Sequence, residues 1–255
     1  MQLNGLKTRE LGRNFTYLES VNSTNTWLAQ QADTLPHGAA VSAARQTAGK
    51  GRRGRSWADN EGVGLALSVL VDWDALQNPQ LPLLVGLAAC RAIEKLCGVS
   101  AQLKWSNDLL LNGKKIGGIL CESPPAKQKR AVIGVGVNLA QTQQHFNDLG
   151  LVYATSLLLG TKTVYSPAQM AVFLLNSLEE VLDEFREKGF EAQRREYARR
   201  CVVLGREIRI IAADEEYTGA ALDIAPDGGL ICNVNGKLRT FYAGDVSIRG
   251  AEGYI

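Results

Sequence analysis

Apolar runs in the first half of the chain predict a strand-rich domain. The segments 38–46 and 64–71 have the composition of strands, and they flank a stretch rich in glycine and basic residues. The segment 101–123 is predicted to form strand, turn and strand, because Asn112 and Gly113 make a strong two-residue hairpin signal. The glycine-rich stretch is therefore expected to be a loop that a sheet holds at both ends.

A further strand is predicted over 130–140, and glycines interrupt it. Gly134 and Gly136 lie two residues apart in the sequence GVGVN. Glycine inside a strand often marks the close approach of a ligand or of another backbone. This strand is therefore expected to lie against one or the other.

Apolar spacing and terminal residues predict three helices. The segment 81–96 has the pattern of a buried helix, with proline near its first turn and glycine soon after its end. The clearest helix has Ser166 as its cap, Pro167 in its first position and Gly189 at its end. A shorter helix is expected to start near residues 23–25, since potential caps precede apolar residues at helical spacing.

The pattern changes after Gly205, where short strands alternate with turns. The strands are predicted in the stretches REIRIIA, EYTGAALDIA, LICNV and KLRTFYAGDVSI. Such a run predicts a small β-barrel appended to a larger domain of helices and strands. The expected organisation is a first domain over 1–205 and a second over 206–255.

Composition narrows the class of protein without deciding it. The 255 residues, 45% hydrophobic and 21% charged, can bury a substantial core as one large domain or as a large and a small one. The formal net charge of +2 is too small for a general polyanion binder. The location of the basic residues is therefore more informative than their sum.

Cysteine usage and the N-terminal segment both indicate a cytoplasmic protein. The five cysteines are odd in number and show no CxxC or Cys/His spacing, which argues against a disulfide framework and against a zinc site. The segment 1–15 lacks the apolar core of a signal peptide, and no apolar run reaches the roughly 18 residues that span a bilayer. Neither secretion nor membrane insertion is expected.

The segment 45–57, RQTAGKGRRGRSW, concentrates basic side chains among glycines. A run of like charges can be a solvated face or a nucleic-acid contact. Here glycine also lets main-chain N–H groups approach an anion, and the cations supply charge. The stretch predicts a loop that is mobile when empty and orders around a phosphate or carboxylate. Its basic residues are Arg45, Lys50, Arg52, Arg53 and Arg55.

Three further polar signals are weak when taken alone. The triplet at 23–25 either caps a helix or presents polar groups to a site. Lys104 lies within an apolar strand and faces either solvent or a polar pocket. Asn138 ends the glycine-spaced strand, where an asparagine is more often a turn residue.

Motif chemistry excludes several classes of enzyme. The sequence GKGRRGRSW has no serine or threonine after its lysine, unlike a P-loop, and it does not match a dinucleotide fingerprint. The two histidines are His37 and His145, and neither sits in a nucleophile motif. The chemistry is therefore expected to depend on cations, amides and backbone groups.

Taken in order, several blocks of this sequence resemble the biotin protein ligases. The blocks are STN at 23–25, QTAGKGRRGRSW at 46–57, KWSND at 104–108, GKKIGGIL at 113–120 and GVGVNL at 134–139. Their order and spacing make the match specific, and the trailing strands resemble the family's SH3-like barrel. The resemblance implies an α+β fold. It comprises a class II synthetase-like catalytic domain, in which helices flank a mixed β-sheet, and a small C-terminal SH3-like β-barrel.

The resemblance also implies an activity. Biotin is activated by ATP as biotinyl-5′-AMP and then transferred to a lysine of a biotin carboxyl carrier protein of acetyl-CoA carboxylase or a related carboxylase. Arg52 and Lys104 are the implied catalytic cations. The implied biotin contacts are Ser23, Thr24, Asn25, Gln46, Lys50, Gly51, Arg52, Lys104 and Gly118. The implied ATP contacts are Arg52, Arg55, Trp57, Asn107 and Asn138. Magnesium is expected with ATP, with Asn138 near it.

Three residues depart from the family pattern. Lys50 stands where an arginine is usual, Ser106 where a proline is usual, and Asn22 where an acidic residue is frequent. Lys50 keeps the charge but lacks the planar fork that holds an oxyanion with two hydrogen bonds. The two implied catalytic cations are unaffected.

The remaining expectations concern binding partners and alternative functions. The segment 1–22 is too short for the N-terminal DNA-binding domain that the family often carries, so a ligase that does not bind DNA is expected, and a homodimer is left open. A lipoate or octanoate protein ligase, which also forms an acyl-adenylate, is the alternative enzyme. A nucleic-acid-binding protein that uses residues 45–55 is the alternative from a different class.

Overall fold

The larger of two sheets forms the centre of the molecule. The computed structural model describes residues 1–58, 62–74, 77–124, 129–212, 215–243, 246–250 and 254–255. The first seven strands are β1 (Phe15–Val21), β2 (Ala40–Gln46), β3 (Gly64–Asp72), β4 (Gln102–Lys104), β5 (Asp108–Leu111), β6 (Lys114–Glu122) and β7 (Arg130–Asn138). They form one sheet in the order β1-β2-β3-β7-β6-β5-β4. β1 and β2 are parallel and the other neighbours antiparallel, so the sheet is mixed, as expected.

Helices cover the two faces of this sheet unequally. The helices are α1 (Thr24–Gln30), α2 (Leu81–Cys97), α3 (Gln143–Asp148), α4 (Leu157–Thr161), α5 (Pro167–Lys188) and α6 (Glu191–Arg200). The long helices α2 and α5 pack on one another, and their buried residues share the main core with the sheet. α1 belongs to a smaller cluster on the opposite face, where Leu28 packs with Leu70 and Val132.

Successive side chains of the central strands point to opposite faces of the sheet, and this explains why the main core and the smaller cluster lie on different faces. In β7, Ile133 and Val135 join the main core, whereas Val132 joins the cluster beneath α1. Gly134 and Gly136 follow Val132 on that second face, because successive residues of a strand point to opposite sides. The sheet face under α2 and α5 is therefore apolar, and the face under α1 carries a strip of small residues beside that helix.

A second, antiparallel sheet follows in the chain. Its strands are β8 (Glu207–Ile211), β9 (Glu216–Ile224), β10 (Leu230–Val234), β11 (Lys237–Phe241) and β12 (Ser247–Gly250), in the order β11-β10-β9-β8-β12. Its apolar residues, among them Ile208 and Leu230, continue the main core. The Trp105 indole N–H also donates to the Gly228 carbonyl at 3.0 Å. The expected small β domain is confirmed, while the boundary at 205 stays a prediction.

Most predicted elements are present, but the segment 101–123, predicted as strand, turn and strand, forms three strands, β4, β5 and β6, because the chain also turns between β4 and β5. Ser166 accepts from the Gln169 N–H in a capping box, and Asn112 and Gly113 both take the positive φ of a two-residue hairpin. The stretch predicted as one strand over 237–248 is two strands, β11 and β12, and its residues 244 and 245 lie outside the described ranges.

The elements that were not predicted lack a clear apolar period. β1, α3, α4 and α6 were missed. The α6 sequence, EAQRREYARR, is almost entirely polar. It is anchored by the fully buried Tyr197 and by an ion-pair network in which Arg91 contacts Glu196 and Arg200 contacts Glu94. Such long-range pairs leave no local signal in the sequence. Among the described residues, no helix has the length and apolar character needed to cross a bilayer.

Candidate active site

A pocket lies on the sheet face that carries α1, and small residues form its floor. Gly136 of β7 pairs with Ala66 on one side and with Gly118 on the other. The next row along the same face is Ser68, Gly134 and Leu120. Because rows of short side chains lie next to taller neighbours, they leave a depression in the sheet surface. The glycine spacing of GVGVN is thus part of the floor of a site.

Trp57 lies across the first of these rows. A Cβ added to Gly136 would lie 2.6 Å from the Trp57 ring, and one added to Gly118 would lie 3.3 Å from it. The Lys115 ammonium is 5.9 Å from the ring centroid. The close approach that the strand glycines predicted is therefore made here by an indole of the same chain.

The start of α1 supplies a polar recess over the second row. The Ser68 hydroxyl lies 2.8 Å from Thr24 Oγ1 and 2.6 Å from Asn25 Oδ1. Gln46 Oε1 accepts from the Thr24 N–H at 2.9 Å, and Asn25 Nδ2 donates to Glu122 Oε2 at 2.8 Å. Ser68, Thr24 and Asn25 are all buried. Their mutual hydrogen bonds hold several polar groups in fixed orientations at the pocket.

The helix start itself matches the prediction. α1 begins at Thr24, and Ser23 is its N-cap residue with extended backbone angles. The Ser23 side chain makes no capping hydrogen bond. The triplet therefore contributes polar groups to the pocket as well as beginning the helix.

The glycine- and arginine-rich loop closes one side of the pocket through Arg52. The Arg52 guanidinium donates to Asn107 Oδ1 at 2.7 Å, to Ser106 Oγ at 3.0 Å and to the Val246 carbonyl at 3.3 Å. Burial lowers the pKa of Arg52 from its ordinary value, and Asp108 opposes that change. Arg52 thus joins the loop to the KWSND turn and to the segment that leads into β12.

The other basic residues of the loop are more open to solvent. Arg53, Lys50 and Arg55 are exposed, and Arg53 donates to the Ile211 carbonyl at 3.0 Å. Lys50 and Arg55 nevertheless line the pocket beside Arg52. The mobility of the empty loop stays a prediction, but two of its arginines already contact carbonyls in or near the second sheet.

Lys104 ends β4 and is almost completely buried, with 2% of its surface exposed. Its ammonium donates to the Tyr254 carbonyl and lies 3.7 Å from the centroid of the Tyr254 ring. Burial lowers the pKa of Lys104 to about 8, and the nearby Asp108 opposes that change. The sequence left open whether Lys104 faces solvent or a polar pocket. In the structure it lines the pocket.

Asp108 links the basic groups at this end of the pocket. It pairs with the Lys115 ammonium and accepts from the Tyr254 hydroxyl at 2.6 Å. Burial alone would raise the pKa of Asp108, but Lys115, Tyr254 and Lys104 together hold it below its ordinary value. Asp108 is therefore an anion that balances part of the charge of the two lysines.

The structure brings the predicted site residues together with one exception. Those that line the pocket are Ser23, Thr24, Asn25, Gln46, Lys50, Gly51, Arg52, Arg55, Trp57, Lys104, Asn107 and Gly118. Asn138 lies outside this lining, and its side-chain amide donates to the Thr155 carbonyl at 3.0 Å. Its assignment to ATP and magnesium therefore stays a prediction without support from the pocket geometry.

Sequence reasoning missed several groups that the site contains. Asp108 and Lys115 stand inside the blocks KWSND and GKKIGGIL, so the charged residues within those blocks would have been a usable signal. Ser68 could have been found as the polar residue in an otherwise apolar strand. Tyr254 carries no local signal, since its partners lie about 150 positions away in the chain.

Two comparisons with known proteins agree with this geometry. A model described as the biotin/lipoate A/B protein ligase family matches residues 17–138, and one described as the biotin protein ligase C terminal domain matches residues 203–249. The bifunctional ligase/repressor BirA of Bacillus subtilis is 30% identical over 249 residues, which cover 96% of this chain and 77% of that protein. The chain belongs to the biotin protein ligase family.

Other members of the biotin protein ligase family match over similar lengths. The biotin–[acetyl-CoA-carboxylase] ligase of Mycobacterium tuberculosis is 31% identical over 243 residues, covering 92% of this chain and 88% of that one. The biotin protein ligase from Aquifex aeolicus, solved in complex with biotin and ATP, superposes with a TM-score of 0.82 and 28% identity. That match covers 94% of this chain and all of the other.

Substitution of the floor glycines is expected to separate the two halves of the pocket. The family resemblance predicts that the triplet at 23–25 contacts biotin and that Trp57 contacts ATP, and these variants test that prediction. In Gly134→Ala, the new methyl would lie 2.2 Å from Asn25 Oδ1, so the polar recess must shift, and KM for biotin should rise while KM for ATP changes little. In Gly136→Ala, the methyl would displace Trp57, and KM for ATP should rise instead. Steady-state adenylation kinetics measure both values, and each variant is the control for the other. Equal effects of both variants on both substrates would contradict this division.

Proposed function

We propose that this pocket activates biotin with ATP as biotinyl-5′-AMP and transfers the biotinyl group to a lysine of a biotin carboxyl carrier protein. The observation that carries the proposal is that one pocket contains both a fixed polar recess and two cations, one buried and one half-buried. The recess comprises Thr24, Asn25 and Gln46, and the cations are Arg52 and Lys104. The family to which the chain belongs supports the same activity.

In the first step, two anions must come into contact. A carboxylate oxygen of biotin attacks the α-phosphorus of ATP, the bond from that phosphorus to the β-phosphate oxygen breaks, and pyrophosphate leaves. Arg52 and Lys104 are positioned to neutralise the carboxylate and the α-phosphate oxygens. Fixed charges in a site shielded from water stabilise such a transition state without reorganising, and alignment of the reactants contributes further.

In the second step, the amine of the carrier lysine attacks the acyl carbon of the adenylate. The new amide forms as the bond to the phosphate oxygen breaks, AMP leaves, and the amine proton goes to solvent. The cations that stabilised the first transition state also stabilise the departing AMP. Both steps thus use the same charged wall of the pocket.

The two substrates are assigned to different ends of the pocket. Ser23, Thr24, Asn25 and Gln46 offer hydroxyl and amide groups that suit the ureido ring of biotin, above the row with Gly134. Trp57, Arg55 and Asn107 are assigned to the nucleotide, together with Arg52. Lys50, Gly51 and Gly118, which also line the pocket, are assigned to biotin.

Magnesium is inferred as the companion of the ATP phosphates. Among the described residues, no cluster of three His, Cys, Asp or Glu side chains could hold a metal ion. The acid closest to the cations, Asp108, is already engaged by Lys115 and Tyr254. These residues do not form a protein cage for magnesium, which usually keeps its waters and binds through phosphates in such sites.

The partners and location follow from the same proposal. Lys50, Arg52 and Arg55 line the pocket, so substrate anions account for much of the basic segment, and DNA binding is not expected. All five cysteines are free, which fits a reducing compartment such as the cytoplasm. The mass of the protein in solution measures whether it forms a homodimer.

The adenylation assay with alternative acids tests the proposal. Exchange of labelled pyrophosphate into ATP is measured with biotin, lipoate and octanoate offered separately, and with magnesium present. Exchange that depends on biotin is the expected result. Exchange that depends on lipoate or octanoate would identify that acid, and not biotin, as the substrate. If none of the three acids supports exchange, the proposal of an acyl-adenylating enzyme is rejected.

The rate of adenylation is expected to depend on the charge of Lys104. Since the pKa of Lys104 is about 8, kcat/KM for biotin should fall as the pH rises through that value and the ammonium loses its proton. Bound carboxylate and phosphate favour the charged form, so kcat should fall at higher pH than kcat/KM. A Lys104→Arg variant stays charged and should not show this fall. An unchanged profile in that variant would assign the titration to another group.

A further inference from the structure

The end of the chain returns to the catalytic pocket and contacts two of its charged residues. Tyr254 lies behind Lys104 and Asp108 and is not part of the pocket lining. Its carbonyl accepts from the Lys104 ammonium, which also lies over its ring at 3.7 Å from the centroid. Its hydroxyl donates to Asp108 at 2.6 Å. One residue therefore contacts both Lys104 and Asp108 from outside the lining of the pocket.

Neighbouring residues pack closely around Tyr254 and Ile255. The Tyr153 ring stacks on the Tyr254 ring, with centroids 5.5 Å apart and planes inclined by 15°. The next residue, Ile255, passes so close to Gly250 of β12 that a Cβ there would lie 2.1 Å from its carbonyl carbon. The side chain of Ile255 reaches the hairpin glycine Gly113. Two of these contacts, at Tyr153 and Gly113, come from distant parts of the chain, so they define the position of residues 254–255.

The chemistry of these contacts suits a lysine that must receive anions. An ammonium has three N–H donors, and the Tyr254 carbonyl occupies one of them, which leaves donors for substrate oxygens. The face of the ring attracts the same ammonium, and such contacts become stronger when the ammonium is withdrawn from water. Burial raises the pKa of the Tyr254 hydroxyl, and Asp108 adds to this, so the hydroxyl remains a proton donor to the carboxylate.

We propose that Tyr254 is a positioning residue for adenylation, in which its carbonyl and ring hold the Lys104 ammonium and its hydroxyl holds the Asp108 carboxylate. The chain end thereby completes the wall behind the cationic site. This inference rests on the proposed function, because it assigns Lys104 to the substrate oxygens. It adds a residue that touches no substrate and acts through two others.

The titration of Lys104 gives a readout of these contacts that does not depend on turnover. The charged groups that face it are Asp108 on β5, Lys115 on β6, Arg249 on β12 and Arg55 on the loop. Burial is the largest cause of the lowered pKa of Lys104. Replacing the Tyr254 ring with a small polar side chain removes the ring face that favours the ammonium, which lowers the pKa of Lys104, and it admits water, which raises that pKa. Because burial is the largest cause of the lowered pKa, the second effect should exceed the first, and the pKa should rise from about 8 towards its ordinary value of 10.5.

The test compares Tyr254→Ser, Tyr254→Phe and a chain that ends at residue 253 with the parent. The matched control is Tyr242→Phe, which removes a hydroxyl that donates to Asp227 at 2.8 Å on an exposed part of the second sheet. Biotin-dependent pyrophosphate exchange gives kcat and KM. The ¹³Cε chemical shift of Lys104, assigned with Lys104→Arg, gives its titration midpoint without any turnover. Thermal melting reports the folded fraction.

Tyr254→Ser and the shortened chain should lower kcat by about tenfold or more with little change in KM for biotin, as loss of a second-layer partner typically does. In both, the Lys104 midpoint should rise. Tyr254→Phe should keep the midpoint near that of the parent, because its ring and carbonyl remain, and lose less activity. Tyr242→Phe should resemble the parent throughout.

The proposal is overturned if the titration midpoint of Lys104 is unchanged in Tyr254→Ser and in the shortened chain. This holds whether their activity is retained or falls only in proportion to the folded fraction. A parent without biotin-dependent exchange would reject the proposed function instead. The titration midpoint would still show whether Tyr254 holds Lys104 in that case.

Discussion

Replacing Arg52 by alanine is expected to lower the rate of biotinyl-adenylate formation by about a hundredfold and to release the intermediate into solvent. The guanidinium lies at the junction of the basic loop, the KWSND turn and the segment before β12, through its bonds to Ser106, Asn107 and Val246. Alanine removes a cation that stabilises the transition state and also removes the contacts that hold the loop across the pocket. Formation and retention of the adenylate should therefore fail together.

The measurement combines two assays on the same Arg52 variants. Pyrophosphate exchange reports formation, and biotin attached to an unrelated lysine-rich protein reports leakage. Arg53→Ala is the matched control, because that arginine is adjacent, exposed and directed at the Ile211 carbonyl outside the pocket. If Arg53→Ala leaks as much as Arg52→Ala, the loop acts through its overall charge and the specific role of Arg52 is wrong.

Lys104→Met is expected to reduce adenylation by about 10²- to 10³-fold while the protein stays as stable as the parent at pH 7. Methionine fills much of the same volume, and it removes the desolvation cost of an ammonium that is 2% exposed. The buried ammonium of Lys104 is therefore expected to lower the free energy of unfolding while it serves the reaction. Circular dichroism melting and pyrophosphate exchange, made on the same preparation, measure the two effects.

Lys95→Met is the control for this change, since Lys95 pairs with Glu180 on the exposed surface of α2 and lies outside the pocket. Parent-like activity is expected for it. A large fall in melting temperature for Lys104→Met, in proportion to its lost activity, would show that the buried lysine is a structural group. Full activity in that variant would remove Lys104 from the mechanism.

Local sequence features predicted the elements that carry the site because those elements depend on local chemistry. Proline and glycine define the ends of α5, and the hairpin at Asn112 and Gly113 needs residues that accept positive φ. A charged residue in an apolar strand singled out Lys104, although the pattern alone left open whether it faces solvent or a pocket. In each case the signal lies within a few residues of the feature that it predicts.

Features that depend on strand register could not be predicted in this way. The small-residue floor exists because Gly136 pairs with both Ala66 and Gly118, and those pairings join three separate strands. The partner of Lys104 at the end of the chain is equally remote in sequence. Such contacts are set by how the sheet assembles, and no periodicity in one segment records them.

The most direct test of the account is the identity of the group that the enzyme attaches to its carrier. The purified protein is incubated with a biotin carboxyl carrier domain, ATP and magnesium, and with equal amounts of biotin, lipoate and octanoate together, and the intact mass of the carrier is then measured. The account predicts one biotinyl group on a single lysine of each carrier molecule. A carrier that gains a lipoyl or octanoyl group, or that remains unmodified while the parent enzyme is folded, would contradict it.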